Sequence, residues 1–176
     1  MSELEKKFGL DNLPPPVDRD QRTLTDGSPV TPDHRDLKPN GQQKAYVVLS
    51  EAERAKGFVR PVRDSYIHVG APGPRFAMRD LTKSEHARYD QYGYVKYEEY
   101  PKGGTICGKF WTKPELDRIA KRCGSTTTMS QALAETYARD PSFYSGTFCS
   151  FCSKHFPVGE DGEFIWSDAP DEKVGT

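Results

Sequence analysis

The chain has no run approaching the roughly eighteen consecutive apolar residues of a membrane span, and its first residues, Met-Ser-Glu-Leu-Glu-Lys-Lys, hold no apolar stretch of the kind a secretory signal needs. The expectation is a soluble, intracellular protein with no membrane partner. Charge of one sign is also missing: Lys plus Arg number 25 against 26 Asp plus Glu, a net charge of −1. Nothing global attracts phosphate or an anionic bilayer, so nucleic-acid binding would need a local patch and is not favoured. Hydrophobic residues are scarce as well, at 35%, whereas there are 15 Gly and 14 Pro. That balance predicts a modest, loop-rich core, for which a metal cross-link offsets part of the conformational entropy lost on folding.

The commonest enzyme signatures are absent too. There is no Gly-rich phosphate loop, no G-x-S-x-G elbow and no H-E-x-x-H pair. The zinc deaminase pattern fails at both halves, because His86-Ala-Arg88 puts Arg where Glu is required and Phe148 stands where Pro should precede the first Cys. The reading is non-enzymatic, with a zinc-dependent hydrolase as the alternative, in which three protein ligands would leave a position open beside Glu135 or Asp140 as base.

What the chain does have is four cysteines, which in a reducing compartment point to metal more than to disulfides. Cys149-Ser-Phe-Cys152 has the spacing by which two thiolates of one turn bind a single tetrahedral zinc. Cys123 is the natural third ligand, following a predicted helix and preceding Gly124. The fourth is His155, three residues beyond Cys152, or Cys107, which would make a four-cysteine set with 15, 25 and 2 intervening residues. With four ligands available, a closed structural site is expected rather than a catalytic one.

Residues 1–41 carry six of the 14 prolines, including Pro14-Pro15-Pro16, with almost no apolar periodicity, and read as an extended arm, mobile in isolation. Residues 42–176 read as one irregular α+β domain of short strands and two to four short helices, with the zinc site within 107–155. Strands are expected over Lys44–Leu49, Ser65–Val69, Tyr92–Tyr100, Ser145–Phe148 and Phe164–Trp166 from their β-branched and aromatic content. Capping-box patterns at Ser50/Glu53, Thr82/Glu85 and Thr112/Glu115 predict three helix starts. The strongest helical pattern spans Met129–Ala138, with Thr126-Thr-Thr128 as its capping hydroxyls and Asp140-Pro141 as its stop.

Other chemistry-bearing residues read blandly. His34 belongs to the arm as a solvated side chain, and His68 to its strand as a packed one. Arg54, Lys56, Arg60 and Arg63 read as a solvated charged face, with a small phosphate-facing patch as the alternative, and the tyrosines Tyr92, Tyr94, Tyr97 and Tyr100 as cover for a small core or an interface, with base stacking as the alternative.

Cys123-Gly-Ser-Thr-Thr-Thr-Met129, Leu133-Ala-Glu-Thr-Tyr-Ala-Arg-Asp-Pro141, Phe143-Tyr144, Thr147-Phe-Cys-Ser-Phe-Cys152, His155 and Glu163-Phe-Ile-Trp166 together resemble uncharacterised small proteins of tailed bacteriophages and prophages. The resemblance covers mainly residues 123–176. It implies a viral origin, a zinc site that includes His155, and a location in the virion or host cytoplasm, and nothing about reaction chemistry. A virion component docking by its arm on a larger viral assembly is the resulting expectation, with an intracellular host-interaction or nucleic-acid-binding factor as its competitor.

Overall fold

The computed structural model describes residues 13–101 and 108–176. Among these, ten short strands and four short helices make a mixed α+β fold. Contacts divide the chain into two units, one formed by residues up to 69 with 124–176 and the other by 70–123.

In the first unit β1 (Arg22–Leu24) pairs antiparallel with β2 (Val47–Leu49), and α1 (Glu51–Arg54) follows at once. β3 (Ser65–His68) is the central strand of a three-stranded antiparallel sheet, flanked by β7 (Thr126–Thr128) and β10 (Phe164–Trp166). α4 (Gln131–Arg139) follows β7, and β8 (Gly146–Cys149) and β9 (Lys154–Pro157) form a hairpin. Along α4, Ala134, Tyr137 and Ala138 recur at helical spacing and are buried, the helix packing on β2 and Tyr137 meeting the Trp166 ring edge-on. The helix starts at Gln131 because the Ser130 hydroxyl accepts from the Leu133 amide. The threonines expected to do that capping form β7 instead, where Thr126, Thr127 and Thr128 pair with Ile67, Tyr66 and Ser65.

The polar residues of α1 and α4 explain what becomes of the proline-rich arm. Arg139 and Glu53 are both fully buried and paired, with Nη2 2.9 Å from Oε1. Arg139 also donates to the Pro15 carbonyl at 2.6 Å, Glu53 accepts from the Asp18 amide at 3.2 Å, and Arg19 pairs with Asp140 at 2.6 Å. Residues 13–24 thereby supply partners that these buried groups require, which no apolar periodicity could reveal. The boundary expected at residue 41 is accordingly not where contacts divide the chain: described residues 13–41 belong to the first unit, and the division falls at 69/70 and 123/124.

The second unit holds β4 (Met78–Asp80), α2 (Lys83–Tyr89), β5 (Tyr94–Glu98), β6 (Lys109–Thr112) and α3 (Lys113–Ala120), with the strands ordered β4-β5-β6. Both helices open on full capping boxes, Thr82 with Glu85 and Thr112 with Glu115. On one sheet face buried Glu98 accepts from Trp111 Nε1 at 2.9 Å and from the Arg75 and Phe76 amides. On the other, Tyr97 packs on Phe110 and Arg79 lies over the Tyr97 ring. No helix among the described residues is long and apolar enough to cross a membrane.

Candidate metal centre

Three chain segments converge on one point. β3 ends at His68, and the turn at Cys123-Gly124 returns the chain beside it, the Gly124 amide donating to the His68 carbonyl at 2.8 Å and the His68 amide to Ser125 at 3.0 Å. Gly124 has φ 72°, a left-handed conformation that a glycine adopts without steric cost. The β8–β9 hairpin brings Cys149 and Cys152 around a tight turn closed by the Ser153 amide on the Cys149 carbonyl, 2.9 Å. Thr127 of β7 anchors that turn by accepting from the Ser150 amide at 3.2 Å. One ligand atom each from His68, Cys123, Cys149 and Cys152 then lies within 4.8 Å of all the others, and these four residues could hold a metal ion.

The geometry fits such an ion. A tetrahedral centre with bonds of about 2.3 Å to sulfur and about 2.0 Å to nitrogen requires S···N edges of roughly 3.5 Å, and Cys152 Sγ lies 3.5 Å from His68 Nδ1. His68 is buried and packed on two sides. Its ring packs against those of Phe156 and Phe164, with centroids 4.3 and 4.8 Å away. Its Nε2 is buried without a well-aligned hydrogen bond, yet faces Glu163 Oε1 at 3.5 Å. An imidazole with one nitrogen towards the thiols and the other towards a buried carboxylate is the arrangement that metal-bound histidines adopt, the carboxylate fixing tautomer and ring orientation.

Cys123, Cys149 and Cys152 of the expected ligand set are thus brought together, and the fourth member is His68, not His155. The reason is strand alternation. His155 does not lie in the turn but is the second residue of β9, directly opposite Phe148, so it shares Phe148's face, whereas Cys149 and Phe156 take the other. It hydrogen-bonds the Tyr46 hydroxyl through Nε2 at 3.0 Å, and burial holds its pKa below the ordinary imidazole value. Cys107 lies outside the described residues. His68 could have been found from its place on the buried face of β3 with Tyr66, an inward imidazole at a strand end followed by Val69-Gly70.

The remaining candidates lie elsewhere. Glu135 pairs with Arg54 at 2.8 Å and Asp140 with Arg19, so neither proposed base belongs to the cluster. Arg54, Lys56 and Arg63 are each paired with carboxylates, and Arg60 donates to the Thr176 carbonyl. His34 hydrogen-bonds the Thr31 carbonyl at 2.6 Å. Comparison of the chain with protein-family models, with curated proteins and with solved structures finds no match.

Proposed function

We propose that His68, Cys123, Cys149 and Cys152 bind one structural zinc ion and that the protein is a non-enzymatic, zinc-stabilised binding component. The observation that carries this reading is the meeting, within 4.8 Å, of four ligand atoms from three segments distant in sequence. A set of three thiolates and one imidazole selects zinc among the common divalent ions, and four protein ligands leave no position for a reacting water.

Metal analysis of the purified chain is expected to give one zinc per molecule. His68→Ala should lose most of it, while His155→Ala should keep it. A chain without zinc, or a His155→Ala variant as depleted as His68→Ala, overturns the assignment.

We further propose the virion role, docking on a larger viral assembly. Its support is that the bacteriophage resemblance is carried by the segment holding Cys123, Cys149 and Cys152. The contacts of residues 13–24 within the first unit mean that docking need not use this part of the arm. Absence of the chain from purified particles would refute the role.

A further inference from the structure

A cavity of about 230 Å³ lies within the first unit. Its walls are rings, including Tyr46, Tyr66, Tyr137, Tyr144 and Phe148, with Leu133 and several threonine hydroxyls, and no charged side chain lines it. At roughly 30 Å³ per liquid water it has room for about seven waters, and it lies below the range of roughly 300–1,000 Å³ usual for drug-sized ligands. A nucleotide is too large for it, whereas a single substituted ring is of the right size.

One wall carries an unmet hydrogen-bonding demand. Tyr137 is 3% exposed and its hydroxyl makes no well-formed hydrogen bond, although Thr147 lies beside it. The neighbouring phenols are committed: Tyr66 donates to the Phe148 carbonyl at 2.6 Å, Tyr144 to the Val47 carbonyl at 2.7 Å, and Tyr46 is bonded to His155. The Thr147 hydroxyl turns to the Tyr66 oxygen at 3.4 Å. Burial raises the Tyr137 pKa, so its phenol stays protonated and presents a donor. A buried donor with only a poorly placed threonine oxygen beside it is an uncommon and costly feature, and an oxygen supplied from outside the chain would satisfy it better.

The electrostatics narrow the ligand further. With no counter-charge in the lining, a carboxylate or ammonium would be desolvated without compensation. Ser130 and Leu133 place the first turn of α4 in the wall, and the positive end of the helix dipole favours an oxygen acceptor over a cation. From the poorly satisfied phenol and the uncharged aromatic walls, we infer that this cavity is a binding site for a small neutral molecule made of one ring bearing a carbonyl or amide oxygen, which accepts from Tyr137.

The test titrates the full chain with four probes sharing one ring, benzamide, benzoate, benzylamine and toluene, and reads binding by calorimetry and by chemical shifts of the tyrosine rings. Benzamide is expected to bind with Kd below about 1 mM, and the two charged probes at least about tenfold more weakly. Tyr137→Phe keeps the ring and removes only the hydroxyl. It should weaken benzamide roughly three- to tenfold, leave toluene unchanged, and leave the unliganded protein as stable as before or more so. Benzamide binding no tighter than toluene, no saturation by any probe below about 10 mM, or equal benzamide affinity in Tyr137→Phe would each overturn the assignment.

Discussion

Arg139 and Glu53 allow a sharp test of how the first unit is held together. Both side chains are almost wholly excluded from solvent, at 1% and 0% exposure. Arg139→Met keeps much of the side-chain volume but removes the cation, leaving the Glu53 carboxylate with Lys56 and the Asp18 amide, and the Pro15 carbonyl without its donor. Removing one partner of a buried pair costs about 3–5 kcal/mol. At about 2–4 °C per kcal/mol for a chain of this size, Tm should fall by roughly 6–20 °C, measured by circular dichroism at pH 7. The double variant Glu53→Leu with Arg139→Met leaves no charge buried and should recover most of that loss. An Arg139→Met protein within about 1 kcal/mol of the wild type, or a double variant no better than the single, would refute the reasoning.

Four further outcomes follow from the same contacts. The Lys56 ammonium, and with it Arg139, holds the Glu53 carboxyl down to about 2; a pKa lowered on folding gives stability that is complete above the ordinary carboxylate range near 4.5 and is lost as pH falls from there towards 2, so the wild type should lose stability across that window more steeply than Glu53→Gln, in acid titrations followed by fluorescence. Glu163→Gln should weaken zinc about 10- to 100-fold in competition with a chromophoric chelator, because the carboxylate facing His68 Nε2 is gone. A Cβ on Gly41 would strike the Ser153 carbonyl in the cysteine hairpin, whereas one on Gly27, at nearly the same φ of 84°, would meet nothing; Gly27→Ala should therefore cost about 1–2 kcal/mol and Gly41→Ala distinctly more, with weaker zinc retention. Chelation should unfold the first unit, since structural zinc supplies on the order of 10–16 kcal/mol in small zinc-binding peptides and whole domains are stable by only about 5–15.

Local chemistry made much of the fold legible. Thr82 and Thr112 cap their helices as their spacing to Glu85 and Glu115 predicts. The Ser50/Glu53 pattern is half realised: the Ser50 hydroxyl accepts from the Glu53 amide, but the Glu53 side chain turns inward to Arg139. The five strands β1, β4, β6, β7 and β9 escaped because short edge segments such as Thr126–Thr128 and Lys154–Pro157 carry no alternating apolar signal, their pairing being decided by partners far along the chain. The metal set shows the same limit. Cys149 and Cys152 declare themselves by spacing, but the choice between His68 and His155 depends on which strand face each occupies, and that is set by the β8–β9 register, one residue of slip exchanging the faces.

The backbone pairing of His68 with Gly124 and Ser125 also means that the chain leaves the first unit at residue 69 and re-enters it at the same place. Residues 70–123 make up the second unit, which the chain enters just after His68 and leaves at Cys123. Exchanging residues 71–122 for a short glycine-serine bridge would remove no strand of the β10-β3-β7 sheet, so this seam is where insertions of other sizes can be tolerated without disturbing that sheet's register.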